Sequence, residues 1–377
     1  MHSSLTQQRS IQLDVIRGVA IIAVVLVHTF QSSVEQFPIE LVPESGTLFV
    51  GMSYLRFGVE LFFLLSGWLI FSNYLAKSQQ LTSTYIARRF TRIWPLWFLF
   101  SLLSFSTLIL QWNSSPVANR FTSETGYEWV LSFVLVLLFL GWLNPELWNV
   151  PPGGWSIQVE VGHYSLFWFL RKARTITLLV SVLVGYATYF VAMWFSSHQV
   201  WGWVKLFSDS WLRLGLYGTW PFFVFGGMAY MSMIAVKENG FSKAIGRAQR
   251  KTTIIVLLVI ILILAREIPI PFGMTYEAVA TCTVLLAASW VAARWIVSGQ
   301  LVAFLGRYSY FIYFAHFWVL VFVAPWIYEL FSPMGVDRLL TFWVVLLVTF
   351  FATLTFSSLL AVPSWKFFES KLIAKSH

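Results

Sequence analysis

Leu339-Leu340-Thr341-Phe342-Trp343-Val344-Val345-Leu346-Leu347-Val348-Thr349-Phe350-Phe351-Ala352-Thr353-Leu354-Thr355-Phe356-Ser357-Ser358-Leu359-Leu360-Ala361-Val362 runs without a single charge. A helix needs about 20 predominantly apolar residues to cross the hydrocarbon core of a bilayer, and this stretch is long enough. Ten more apolar runs precede it. They are Ile11–Phe30, Phe49–Tyr74, Ile93–Trp112, Trp129–Leu143, Trp155–Leu170, Ile176–Phe195, Leu214–Ile234, Thr253–Ala265, Ala278–Ile296 and Phe304–Leu330.

Composition agrees with that reading. Hydrophobic types make up 58% of the 377 residues and charged types 11%, with a mean hydropathy of +0.74. A soluble domain carries roughly 25% charge, so a soluble globular enzyme is excluded. The expected fold is all-α: a polytopic integral membrane protein with about ten transmembrane helices and one short re-entrant or interfacial helix. A single domain over residues 1–377, with no appended soluble domain, is expected. Arg9, Asp14 and Arg17 lead into the first run and no A-x-A cleavage pattern follows, so that run reads as a retained helix. One cysteine, Cys282, forbids an internal disulfide or a cysteine metal cluster and suits a packed core position. The six histidines form no HxxxH pair, and no metal site is expected.

Charge placement sets the topology. Arg9 and Arg17, Lys77 with Arg88, Arg89 and Arg92, and Arg171 with Lys172 and Arg174 are basic clusters. So are Lys237, Lys243, Arg247, Arg250 and Lys251, then Arg294 and Arg307, and finally Lys366, Lys371 and Lys375. All can face the cytoplasm only if Trp129–Leu170 crosses the membrane once in total. The other side then carries Glu35, Glu40, Glu44, Glu124, Glu128 and Asp337. Positive charge stays inside, so ten spans with both termini cytoplasmic are expected. The net charge of +9 reports these loops and anionic lipid, not nucleic acid. Pro145, Pro151, Pro152, Gly153 and Gly154 break the helix inside Trp129–Leu170. Irregular backbone at that depth survives where it lines a cavity or is buried in protein. Trp142, Trp148 and Trp155 crowd the break and are candidates to stack on an acceptor.

Ionisable groups inside spans are costly and commonly functional. Arg17 and His28 lie 11 residues apart on one predicted helix, which puts them on one face and roughly 16 Å apart. Imidazole titrates near working pH and suits acid–base or nucleophilic work; the bland alternative is two groups reaching opposite interfaces. Glu60 and Gly67, in Gly58-Val59-Glu60-Leu61-Phe62-Phe63-Leu64-Leu65-Ser66-Gly67, also share a face. Gly67 admits either a ligand or a neighbouring helix backbone. Arg88, Arg89 and Arg92 put guanidinium groups along one helix, which suits phosphate, or lipid headgroups in the blander reading. Glu160, in Trp155-Ser156-Ile157-Gln158-Val159-Glu160, neighbours His163 one turn on. It could orient a histidine or accept a substrate hydroxyl; a buried structural pair is the alternative. Ser309, Tyr313 and His316 share one face of the tenth span.

These segments together resemble membrane acyltransferase family 3, the O-acyltransferases that modify extracytoplasmic carbohydrates. The anchors are Leu13-Asp14-Val15-Ile16-Arg17-Gly18 with the R-x10-H spacing to His28, and Phe62-Phe63-Leu64-Leu65-Ser66-Gly67. Then come Arg88-Arg89-Phe90-Thr91-Arg92-Ile93-Trp94-Pro95, Trp155 through Glu160, and Gly306-Arg307-Tyr308-Ser309-Tyr310 with Tyr313 and His316. The resemblance implies an acyl-CoA donor, usually acetyl-CoA, reached from the cytoplasm as a substrate and not held as a permanent cofactor. It implies a carbohydrate hydroxyl as acceptor, in a polysaccharide, O-antigen or lipid-linked glycan, at the inner membrane. Carried onto this chain, His28 is catalytic with Arg17 as its motif partner, and Arg89 and Arg92 are candidates to hold donor phosphates. Arg88 joins them in the expected phosphate cluster. Glu60, Ser66, Gly67, Trp155, Ser309, Tyr313 and His316 are the candidate substrate contacts. Glu160 or Glu60 is expected to hold the second imidazole nitrogen of His28, which acts either as general base or as nucleophile. The competing reading is a secondary transporter or flippase for a lipid-linked sugar, since broken helices and intramembrane charges occur there too. No paired repeat halves support it.

Overall fold

The computed structural model describes residues 2–37, 46–76, 83–109, 126–141, 150–170, 177–178, 180–184, 187, 215–239, 276–292, 296–331, 338–364 and 366. The helices are α1 (His2–Gln36), α2 (Thr47–Ser53), α3 (Gly58–Ala76), α4 (Ser83–Ile109), α5 (Gly126–Leu137) and α6 (Gly154–Leu170). They continue with α7 (Leu216–Asn239), α8 (Tyr276–Ala292), α9 (Ile296–Arg307), α10 (Ser309–Phe331) and α11 (Arg338–Ser364). A 3-10 turn, Tyr54–Phe57, joins α2 to α3. Among the described residues there is no strand.

Among the described residues, four helical segments are long and apolar enough to cross a membrane: Ile11–Gln36, Phe49–Tyr74, Ser309–Phe331 and Arg338–Ser364. They overlay four of the sequence runs closely. α11 shows what medium surrounds it. Its outer face carries Leu347, Phe351, Leu359 and Leu360, all at least half exposed. Its inner face carries Thr349, Thr353 and Ser357, all fully buried. A helix in water would reverse that pattern; hydrocarbon accepts the apolar face and drives the hydroxyls inward. The chain is a multi-pass membrane protein.

The described part of α5 is short. Its 12 residues rise about 18 Å, against a hydrocarbon core of about 30 Å. The helix break expected near Pro151 is present: Pro151–Gly153 form a turn and α6 begins at Gly154. The Val150–Pro151 peptide is cis. Gly153 has φ +75°, a conformation glycine adopts without the Cβ clash other residues meet. The run Thr253–Ala265 and most of Ile176–Phe195 lie outside the described residues. So do Trp142 and Trp148, and the basic residues Lys77, Arg171, Lys172, Arg174, Lys243, Arg247, Arg250, Lys251, Arg294, Lys371 and Lys375.

The chain divides into two compact units. The first comprises Met1–Val59, Thr82–Gln158 and Thr281–His377, and α1 is its hub, packing on α9, α10 and α11. The α1–α9 seam is tight because glycine lies on both sides. A Cβ on Gly18 would overlap the Val302 carbonyl oxygen, and one on Gly306 would overlap that of Asp14. Small residues let membrane helices approach this closely. Farther along α1, Phe30 and Phe37 join Ile327, Phe342, Val345 and Leu346 in one apolar cluster. Cys282 is buried with its thiol toward the Phe57 carbonyl at 3.7 Å, the packed position its sequence context suggested.

The second unit comprises Glu60–Leu81 and Val159–Ala280. Here α3 meets α7 through glycines in the same manner: Gly67 lies against the Phe223 backbone and Gly226 against that of Leu64. Phe71, Phe167 and Phe223 form an aromatic cluster beside them.

Candidate active site

α1 carries the R-x10-H pair, Arg17 at mid-helix and His28 toward its C-terminal end. One turn before Arg17, Asp14 lies between two guanidiniums, Arg17 at 3.5 Å and Arg307 at 3.9 Å. The i,i+3 step along α1 delivers Arg17, and the closely packed α9 delivers Arg307. Eleven residues on, His28 is half-buried.

The His28 ring is held from three sides. Its Nδ1 lies 3.0 Å from the Gln31 Oε1. An amide oxygen only accepts, so Nδ1 carries the hydrogen and donates it. Nε2 is then the nitrogen with the free lone pair, which is the form a general base or nucleophile requires. The carboxylate expected beside His28 is therefore replaced by a neutral amide, one turn along the same helix. Phe317 packs on the ring at 4.6 Å between centroids, and His316 stands at 5.4 Å.

α10 brings its expected trio to one face. His316 is fully buried and its Nδ1 donates to the Ile312 carbonyl at 3.1 Å. The Tyr313 hydroxyl donates to the Gly153 carbonyl at 3.0 Å and accepts from Ser156 at 2.8 Å. These bonds clamp the Pro-Gly turn onto α10. A Cβ on Gly153 would crowd the rings of Phe317 and Tyr313, so the turn sits flush against the helix that carries His316. Ser309 is buried, and its hydroxyl has no hydrogen-bond partner among the described residues. Trp155, the first turn of α6, is half-buried.

The arginine motif lies in the first third of α4. Arg89 is half-buried; the side chains of Arg88 and Arg92 lie outside the described residues. The helix continues through Pro95, and the buried indole of Trp97 donates to the Val136 carbonyl of α5 at 2.8 Å.

The second unit has its own polar cluster, built on Glu160, a carboxylate buried to 6% exposure. The Ser66 hydroxyl donates to its Oε1 at 2.5 Å, and the Tyr164 hydroxyl donates to the same oxygen. Two motifs 94 residues apart in sequence thus meet at one oxygen. His163 turns elsewhere: its Nε2 lies 3.1 Å from the Thr219 hydroxyl on α7, which donates to the Gly215 carbonyl at 2.9 Å. Glu60 is also buried. For Gly67 the structure shows the helix-packing alternative, since the Phe223 backbone fills the space a side chain would take.

Gln31, Ser156, Tyr164 and Phe317 are the residues that sequence reasoning passed over. Two were within reach of helical spacing: Gln31 is three residues past His28 and Tyr164 four past Glu160, both same-face offsets. Nothing local marked the pairing of Ser156 with Tyr313.

Comparison with known proteins comes down to one finding. The family model Acyl_transf_3, described as an acyltransferase domain, matches residues 10–362, which spans all five motifs. No curated protein and no solved structure shows a significant match.

Proposed function

This chain belongs to the acyltransferase family Acyl_transf_3 and is an acyltransferase, and on that premise we propose that it moves an acyl group, acetyl foremost, from acyl-CoA to a carbohydrate hydroxyl. The acceptor is an exported or envelope glycan: a polysaccharide, an O-antigen or a lipid-linked sugar. The reaction takes place in the inner membrane, with ten spans, α5 as the short non-spanning helix, both termini in the cytoplasm and the whole chain as one catalytic domain. The transporter reading gives way to the family assignment.

The observation that carries the proposal is the state of His28. Gln31 holds its Nδ1–H, so Nε2 presents a lone pair, on a ring whose surface is still partly open. Eleven residues before it, toward the end of the span Ile11–Gln36 assigned to the cytoplasm, Arg17 and Arg307 flank Asp14. The donor's phosphates suit that end together with Arg88, Arg89 and Arg92. A pantetheine arm is comparable in length with the roughly 16 Å between Arg17 and His28. His28 then removes the acceptor's hydroxyl proton as the oxygen attacks the thioester carbonyl. Glu160 with Ser66, and Glu60 and Trp155, remain proposed contacts for the acceptor.

The test uses the purified full chain in detergent or nanodiscs, with acetyl-CoA, a mixed envelope-glycan acceptor and detection of free coenzyme A thiol. His28→Ala should lower turnover by at least about 100-fold, the scale of a lost general base, while the protein stays monodisperse. Thiol release at the wild-type rate would remove His28 from the chemistry.

A further inference from the structure

His316 has no role in the mechanism so far, yet its surroundings are unusual. It is fully buried in α10, and its Nδ1–H is committed to the Ile312 carbonyl. Its Nε2 therefore bears a lone pair. That nitrogen is buried and has no hydrogen-bond partner among the described residues. Folded proteins keep few such atoms, and each calls for an explanation.

The neighbour supplies one. The His28 and His316 ring centres lie 5.4 Å apart with planes 33° from each other, and Phe317 packs on both. Two imidazoles joined edge to edge by an N–H···N hydrogen bond have centres about 5 Å apart. In the resting state no such bond can form. Both rings carry their hydrogen on Nδ1, both Nδ1–H groups are already spent, and both Nε2 atoms can only accept. The situation changes when His28 takes up a proton on Nε2. It then becomes a donor, and the pair has one donor and one acceptor where it had two acceptors.

We infer that His316 is the positioning partner of His28, whose lone pair accepts the Nε2–H that His28 acquires during the reaction. This rests on the reading of His28 as general base. The steps balance. The acceptor oxygen bonds to the thioester carbonyl carbon as its proton passes to His28 Nε2. The C–S bond breaks with its electron pair going to sulfur, and the thiolate takes the proton back from His28. His316 acts only in the interval when His28 is charged. An interaction present near the transition state and absent in the ground state raises kcat and leaves substrate binding alone. Phe317 sets the spacing by packing on both rings.

The test compares His316→Asn and His316→Gln in the full-length protein, by steady-state thiol release against acetyl-CoA. Asparagine can still donate to the Ile312 carbonyl, so it keeps the structural bond, but it ends short of the Nε2 position. Glutamine places an amide oxygen near that position. The expected result is a kcat reduced at least about tenfold by His316→Asn, a KM for acetyl-CoA within about twofold of wild type, and partial recovery of kcat in His316→Gln. Wild-type kcat in His316→Asn, or a raised KM with kcat intact, would overturn the inference. So would acyl groups trapped on His28, because an acylated Nε2 has no hydrogen to donate. Should His316→Asn fail to fold, His316→Leu, which fills the site without an acceptor, decides in its place: kcat at least about tenfold down with KM unmoved supports the role, and wild-type kcat ends it. His28→Ala run alongside separates the two claims. If it turns over normally, the general-base reading fails; if it is dead while His316→Asn is normal, only the partnership fails.

Discussion

Gln31 decides which nitrogen of His28 can react. Its Oε1 takes the Nδ1 hydrogen at 3.0 Å, so the other nitrogen is left basic. Without that acceptor the ring is free to change tautomer and to turn about its side-chain torsions. Gln31→Leu keeps the volume of the side chain approximately and removes the acceptor. We expect kcat to fall by about 10- to 100-fold, less than for His28→Ala, with the chain still folded. Thiol release by the two variants, measured side by side, checks the order; equal activity of Gln31→Leu and wild type would show that Gln31 is not needed to orient the ring. The arginines answer a different question. A hydrogen bond to a charged group contributes about 1.5–3 kcal/mol, so Arg89→Ala with Arg92→Ala should raise the KM for acetyl-CoA by at least about tenfold and change kcat little. An unchanged KM would take these residues out of donor binding. Asp14 engages Arg17 at 3.5 Å, so part of that charge is spent within α1.

At the scale of helices, the seam between α1 and α9 is where a small change does most damage. Gly18 and Gly306 bring the backbones so close that any side chain at either position meets a main-chain carbonyl, which cannot rotate away. Gly306→Leu should force the helices apart, moving Arg307 away from Asp14 and shifting α1. Overpacking costs about 1–3 kcal/mol and sometimes more, so a thermal midpoint several degrees lower is expected in detergent, together with lost activity. Leu359→Ala on α11 is the control: that side chain is 63% exposed on the apolar outer face, and the midpoint should stay put. The helices themselves were largely legible beforehand. Phe49–Tyr74 is both an apolar run and a candidate span with the same bounds. The other three described spans agree with their runs within a few residues at most ends; α1 extends farther, to Gln36, past polar Gln31, Ser32 and Ser33. Helical spacing correctly placed Ser309, Tyr313 and His316 on one face. It could not show that Tyr313 would clamp Gly153, or that Ser66 would bond Glu160. Those pairings depend on which helices become neighbours, and apolar periodicity in a membrane chain carries little information on that, because lipid and protein accept the same side chains.

Across the whole molecule, the inverted distribution of polarity ties fold to function. Leu102, Leu131, Phe351 and Leu359 lie outward, while Glu60, Glu160, His163 and His316 are sealed within their units. Burying so many ionisable groups is unfavourable unless each is hydrogen-bonded or put to use, and the described partners of Glu160, His163 and His28 meet much of that requirement. Composition alone made the membrane legible; it could not distribute the groups between units, since the two units interleave along the chain. The same composition leaves topology resting on charge. With Trp129–Leu170 crossing once, Lys172 and Lys243 fall on the same, cytoplasmic side, along with both termini. Replacing Cys282 by alanine and then introducing Lys172→Cys or Lys243→Cys gives two single-cysteine proteins for labelling with an impermeant thiol reagent in intact cells. Both should stay protected until the membrane is opened. Labelling of one site from outside and not the other would put an odd number of crossings between them, where the two expected spans require an even number, and would overturn this topology.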